Sequence, residues 1–114
     1  MADCLFCAIA AGDVPATVVR EDEETIAFRD RNPQAPTHLL VIPKAHAPDV
    51  GTLAAEHPEA LVALVAAAAD VARAEGVADS GWRLVFNTGA DAGQSVGHVH
   101  GHVLGGRNLG WPPG

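Results

Sequence analysis

The chain has 114 residues, 48% of them hydrophobic, and a formal charge of −7 at pH 7, which fits one compact unit and excludes a disordered chain. Seven Lys and Arg against fourteen Asp and Glu exclude a protein that tracks a nucleic-acid backbone, because that binding sets many cations against phosphates. Three Phe, two Trp and no Tyr leave the core to Val, Leu, Ile and Ala, which bury less area per side chain, so oligomerisation would add burial that a monomer lacks.

The N-terminal MADCLFCAIAAGD has no basic n-region and no long apolar run; no signal peptide and a cytoplasmic location are expected. Cys4 and Cys7 form a C-x-x-C. A redox motif of this kind should follow a strand and open a helix, and only three residues precede it here, so two ligands of a structural zinc are the better reading. His46 and one histidine of a later cluster are candidates to complete a tetrahedral Cys₂His₂ set.

Residues 16–22, ATVVRED, and 24–30, ETIAFRD, read as two strands joined by a tight turn. In the second, Ile26, Phe28 and Asp30 share a face by the two-residue period, so a carboxylate follows two apolar side chains. Such a face suits an apolar ring beside a hydroxyl-rich group. RNPQAPT, residues 31–37, is a loop, and HLLVIP is a buried central strand with His38 at its start.

A short helix is expected over 50–56 and a longer one over 58–75, with Pro58 in its first turn and Gly76 just beyond its end. At 1.5 Å per residue the second spans roughly 27 Å, enough to cover one sheet face. Its run ALVALVAAAADVARAEG is broken by Asp70, Arg73 and Glu75, which a bilayer would reject, so no membrane association is expected. WRLVFN and HVHGHVL make two further strands, joined by TGADAGQSVG, and the tail GGRNLGWPPG is too rich in Gly and Pro for regular structure. Strands flanking one main helix suggest a single α+β domain over 1–114, with a largely antiparallel sheet and the helix on one side.

His98, His100 and His102 are three of the six histidines. On a strand they would project from one face about 6.6 Å apart and line one wall of a site. Two chemistries need such a set: a catalytic metal held by the imidazoles, or a central nucleophile supported by its neighbours. The loop NTGADAGQS, from Asn87 to Ser95, has glycine hinges at Gly89 and Gly93 but is neither a Walker loop nor G-x-G-x-x-G. Ser95 leads straight into the histidines, where its hydroxyl and nearby N–H groups could meet a phosphate oxygen held by His100. Trp111 suits a packing anchor as well as a contact surface, and His57 is assigned no role.

HVHGHVL resembles the His-x-His-x-His-x-x signature of the histidine triad (HIT) family. DRNPQAPTHLLVIPKAH, NTGADAGQSVGHVHGHVLGG and the terminal WPPG resemble its Hint branch, small nucleoside phosphoramidate hydrolases, and the likeness spans nearly the whole chain. It implies a HIT-like fold, a five-stranded antiparallel sheet with one main α-helix and a short one, and a homodimer whose sheets join edge to edge into ten strands. It implies purine nucleoside phosphoramidates as substrates and nucleoside monophosphates as products.

By that resemblance His100 is the nucleophile, His102 lies against the phosphate oxygens, His38 orients or shares a proton, and Ser95 lies near the departing amine. Asn87, Gly93 and Gln94 surround the phosphate, Asp30 accepts ribose hydroxyls, and Leu5, Phe6, Ile9, Phe28 and Leu40 wall the base, with Trp111 added as a substrate contact. The resemblance also implies structural zinc on Cys4, Cys7, His46 and His98, so that His98 counts with both the reacting set and the metal. Gly97 and Gly101 depart from the family pattern, which usually carries larger apolar residues there. The rival readings are a dinucleoside polyphosphate hydrolase, a hydrolase with a metal on the triad itself, and a purine-nucleotide-sensing module without turnover.

Overall fold

The computed structural model describes residues 4–114. Helix α1 (Leu5–Ala10) precedes a hairpin of β1 (Val18–Glu21) and β2 (Thr25–Arg29), then β3 (Thr37–Pro43), α2 (Val50–Glu56), α3 (Pro58–Ala74), β4 (Trp82–Phe86) and β5 (Gly101–Gly105). The strands form one antiparallel sheet in the order β1-β2-β3-β5-β4. The expected α+β class, the five-stranded sheet and the main and short helices at 58–74 and 50–56 are all present.

The central place of β3 follows from its sequence. All seven of its residues are buried, because both sheet faces are covered. Leu39 and Val41 pack with Leu64, Ala67, Ala68 and Val71 of α3, while Leu40 and Ile42 pack with Phe6, Ile9, Ile26 and Phe28 on the other face. A strand covered on both sides reads as a continuous apolar run. Helix α3 buries Ala60, Leu64, Ala67, Ala68, Val71 and Ala72, an apolar stripe at three- and four-residue spacing. Gly76 lies just beyond it at φ 78°, a left-handed conformation that glycine adopts without a Cβ clash. Asp49 starts α2 by accepting the Thr52 N–H at 2.8 Å.

Three features differ from expectation. Helix α1 opens at the C-x-x-C, which the sequence reading treated as too close to the start of the chain. Cys4 takes the N-cap position and its Sγ accepts the Cys7 N–H at 3.2 Å, a job usually signalled by Ser, Thr, Asp or Asn. The last strand begins at Gly101 and not at His98, because the preceding segment is tied elsewhere: the Val99 N–H donates to the Ala47 carbonyl at 2.7 Å. Finally, β2 ends at Arg29, so Asp30 stands just past the strand, its N–H donating to the His38 carbonyl at 3.0 Å.

The tail is irregular, as its Gly and Pro content requires, yet it is anchored. A Cβ at Gly106 would lie 3.0 Å from Pro36 Cβ, Arg107 Nε donates to the Gln34 carbonyl at 3.0 Å, and an Arg83 guanidinium N–H donates to the Gly110 carbonyl at 2.9 Å. Among the described residues, no helix is long and apolar enough to cross a membrane.

Candidate active site and metal centre

The fold gathers four of the six histidines into two groups, with His100 between them. In the first, the opening of α1 and the loop after β3 meet the segment before β5. His98 Nδ1 lies 3.3 Å from Cys4 Sγ, 3.5 Å from Cys7 Sγ and 3.1 Å from His46 Nδ1, and His46 Nδ1 lies 3.4 Å from Cys7 Sγ. A tetrahedral zinc with S at about 2.3 Å and N at about 2.05 Å would set its ligands roughly 3.3 to 3.8 Å apart. The four donor atoms all lie within 4.8 Å of one another, so the set fits a four-coordinate ion. The other nitrogen of His98 supports that use: Nε2 lies 2.9 Å from the Pro43 carbonyl. A carbonyl only accepts, so the proton sits on Nε2 and Nδ1 offers its lone pair to the cluster.

The second group joins the start of β3 to β5. The Gln34 backbone N–H donates to His38 Nδ1 at 3.0 Å, which puts the proton of the neutral ring on Nε2. That N–H faces His102 Nδ1 at 2.9 Å and the Asp30 carboxylate at 3.4 Å. His102, accepting through Nδ1, then carries its own proton on Nε2. Asp30, His38 and His102 also lie close enough together to share an ion, but a protonated Nε2 on His38 has no lone pair to give, so the group works as a hydrogen-bond relay.

His100 lies between the two groups. Its Nδ1 is 2.8 Å from the His98 carbonyl, so Nδ1 holds the proton and Nε2 is left as an unprotonated nitrogen. Its ring packs edge-on to Phe6 at 5.1 Å and against His102 at 5.1 Å. The three triad rings therefore do not converge on a common point: one turns to the cysteines, one to His38, and one keeps a free nitrogen.

Burial lowers the pKa of His98, His38 and His102, because it penalises the charged form. At His98 burial is opposed by the Pro43 carbonyl, and at His38 by the Asp30 carboxylate. At His102 burial, reinforced by the neighbouring His100 and His38, pushes the value down to about 4. The relay and the metal-facing ring are thus neutral at pH 7.

A cavity of about 580 Å³ is lined by Leu5, Phe6 and Ile9 from α1, Phe28 and Leu40 from the sheet, and Asp30, Ser95 and Val96; His100 adjoins it through Phe6, whose ring it meets edge-on. It is large enough for a nucleoside and has a mostly apolar interior with few polar groups, as small-molecule sites do.

Residues 11–109 match the HIT domain profile. The chain belongs to the HIT family. It is 44% identical over 108 residues to the purine nucleoside phosphoramidase of Escherichia coli K12, covering 95% of this chain and 91% of that protein. It is 50% identical over 112 residues to the 14 kDa zinc-binding protein of Zea mays, covering 96% and 87%. Among solved structures, a HIT family hydrolase from Legionella pneumophila Philadelphia 1 superimposes with a TM-score of 0.94 at 51% identity, covering 98% of this chain and all of that one. The protein is accordingly a HIT family hydrolase with the family's five-stranded fold.

This HIT domain brings Leu5, Phe6, Ile9, Phe28, Asp30, Leu40 and Ser95 to one cavity; the histidines do not line it, and meet it through Phe6, which packs on His100, and Asp30, which faces the His38–His102 pair. Gln94 braces its loop: its amide donates to the Val96 carbonyl at 3.0 Å and across to the Pro48 carbonyl before α2 at 2.6 Å, and its oxygen accepts the Gly89 N–H at 3.0 Å. Gly93 makes the turn of that loop at φ 80°, and Asn87 follows the end of β4, half-buried. Trp111 is 82% exposed and does not line the cavity. Sequence reasoning missed Val14, Pro15, Ala16, Thr17, Arg29, Arg31 and Val96, which also border the cavity; the approach of 14–17 to α1 depends on a helix the sequence did not announce. It also missed Gln34, whose contribution comes through a backbone N–H and so leaves no side-chain signal.

Proposed function

We propose that the protein hydrolyses the P–N bond of purine nucleoside 5′-phosphoramidates through a nucleotidyl intermediate on His100. The observation that carries this reading is the orientation of that ring: Nδ1–H is held on the His98 carbonyl, which leaves Nε2 unprotonated on a ring packed against Phe6, a wall of the nucleoside-sized cavity. The name of the Escherichia coli relative supports the substrate class.

In the first step Nε2 bonds to phosphorus as the P–N bond breaks, and the nitrogen leaves as the amine with a proton passed from water through the Ser95 hydroxyl. In the second, the hydroxide left by that proton transfer attacks phosphorus, the P–Nε2 bond breaks, the electron pair returns to Nε2, and the nucleoside monophosphate leaves with the water oxygen. His102 Nε2–H donates to a phosphate oxygen, and the His38 relay keeps that proton in place. Asp30 accepts the ribose hydroxyls, and Leu5, Phe6, Ile9, Phe28 and Leu40 enclose the base. Asn87, Gly93 and Gln94 hold the loop around the phosphate, while Trp111, exposed and outside the cavity, is left without a substrate contact within the chain.

Zinc on Cys4, Cys7, His46 and His98 completes the reading. Four protein ligands close the coordination shell, so the ion holds α1 against the His98 segment and leaves no position for activating water. The working unit is a homodimer with a ten-stranded sheet, located in the cytoplasm, with neither nucleic acid nor membrane as a partner.

The test is AMP release from adenosine 5′-phosphoramidate by the protein and by His100→Ala. Loss of at least about 10³-fold in the variant, with an unchanged circular dichroism spectrum, is expected for removal of a nucleophile. Faster turnover of diadenosine polyphosphate than of phosphoramidate would overturn the choice of bond, and nucleotide binding without product would leave a sensing module.

A further inference from the structure

We propose that Arg107, in the C-terminal tail, is a positioning residue for the His38–His102 relay and acts through the backbone of Gln34. Arg107 does not line the cavity, and no carboxylate among the described residues pairs with it. Its guanidinium instead donates from Nε to the Gln34 carbonyl at 3.0 Å and from one terminal nitrogen to the Asn108 carbonyl at 2.7 Å. The Gln34 N–H, on the other side of the same Cα, donates to His38 Nδ1 at 3.0 Å. Both backbone groups of Gln34 are thus committed, one to the tail and one to the relay.

The second bond has chemical consequences. A neutral imidazole holds one proton, and the Gln34 N–H bars it from Nδ1. Only the Nε2–H form can donate to His102 Nδ1 at 2.9 Å. If Gln34 swings away, the His38 proton can move to Nδ1, and two lone pairs then face each other across that gap. The other groups facing His38 do not prevent this: the Asp30 carboxylate accepts from Nε2–H but does not block Nδ1. The ends of the loop are tied by the Asp30 N–H on the His38 carbonyl and Ala35 is buried, but the peptide of Gln34 itself has few other restraints. The loop's inner anchors are the Gln34 side-chain amide on the Asn32 carbonyl at 2.9 Å and the Asn32 N–H on Asp30 at 2.8 Å, both on the N-terminal side of Gln34. On the C-terminal side the tail does the holding, through Arg107 and through the close approach of Gly106 to Pro36.

The kinetic arm of the test rests on the phosphoramidase reading, and the spectroscopic arm does not. Long-range ¹H–¹⁵N spectra of the substrate-free protein report which nitrogen of His38 is protonated. The protein is expected to show a single Nε2–H form and Arg107→Ala a mixture of the two. With adenosine 5′-phosphoramidate, Arg107→Ala should lower kcat about tenfold and leave KM within about twofold, as for a misplaced reacting group and not a lost binding contact. Arg107→Lys, whose ammonium can still donate to the Gln34 carbonyl, should return kcat to within about threefold of the parent. An Arg107→Ala protein with an unchanged His38 pattern overturns the proposal, whatever its kcat. So does a fall confined to KM, or a lysine variant as impaired as the alanine one. A parent protein that fails to turn over phosphoramidate removes the functional reading, and the ¹⁵N pattern of Arg107→Ala then still decides the role of the arginine.

Discussion

His102 illustrates how one residue links burial to pH response. Its pKa falls from 6.5 to about 4 because the charged ring would lie enclosed beside His100 and His38. The unfolded chain therefore binds a proton between pH 6.5 and 4 that the folded chain does not, and stability drops as pH falls through that window. His102's contribution is complete above pH 6.5 and gone below pH 4. Urea midpoints at pH 7.5, 6 and 5 should decline, and His102→Gln should flatten the decline by up to about one proton; parallel curves would refute the assignment. Two glycines of β5 make a second contrast. A Cβ at Gly105 would lie 2.9 to 3.0 Å from the branched carbon and both methyls of Val77, whereas at Gly101 it would meet Leu84 Cδ1 at 2.9 Å and the Phe86 ring edge at 3.2 Å. Val77 is buried and has no rotation that clears the site, while Leu84 and Phe86 are half-buried and can turn outward. Gly105→Ala should cost about 1–3 kcal/mol in urea unfolding and Gly101→Ala less. The same side chains show what the unusual Gly101 permits: Leu84 and Phe86 of the neighbouring strand fill the space above it.

At the scale of elements, the decisive pairing is α1 with the segment that enters β5. Helix α1 has only six residues, too few to be stable alone, and it is held by Phe6 and Ile9 in the core and by its cysteines beside His46 and His98. Metal analysis should give about one zinc per chain. Removing it with a chelator, or replacing Cys7 by Ala, should lower the melting temperature by about 10 °C, equivalent to roughly 2 kcal/mol in a domain of this size. Because the ion would lie outside the reacting set, activity assayed well below the new midpoint should persist; immediate loss with the fold intact would instead favour metal on the triad. Most elements were legible beforehand. β3 was marked by its apolar run, α3 by its Pro and Gly ends, and the hairpin by two short β-branched runs with charges between them. The N-terminal helix was not, since a cysteine cap and two buried side chains give no periodic signal over six residues. Nor was the start of β5, because the sequence repeats His at every second position straight through the point where the backbone leaves the sheet to meet Ala47.

For the whole molecule, the unfinished surface lies along β4 and α3. Strand β4 is an edge, with Trp82, Leu84, Val85 and Phe86 only half-buried, and α3 turns Val62 and Val65 outward at 70% and 44% exposure. Unpaired strand edges and apolar helix faces are what a symmetric partner covers. Sedimentation equilibrium should give twice the chain mass of 11.7 kDa, and Val62→Glu with Val65→Glu should shift it to the monomer; a monomeric parent protein would remove the dimer from the reading.

The sequence by itself determined the class of the fold, the central strand, the main helix, and the residue types around the site, since hydrophobic period and the spacing of Cys and His survive in one dimension. The tertiary structure decided how three equally spaced imidazoles divide. His98 turns its lone pair to the cysteines because its Nε2–H donates to the Pro43 carbonyl, His100 keeps a free nitrogen because its Nδ1–H donates to the His98 carbonyl, and His102 accepts from His38 because the Gln34 N–H fixes that ring. Each choice is made by a backbone carbonyl or N–H brought from elsewhere in the fold. Every residue but proline carries both groups, so nothing in the spelling of the sequence says which of them will meet a histidine.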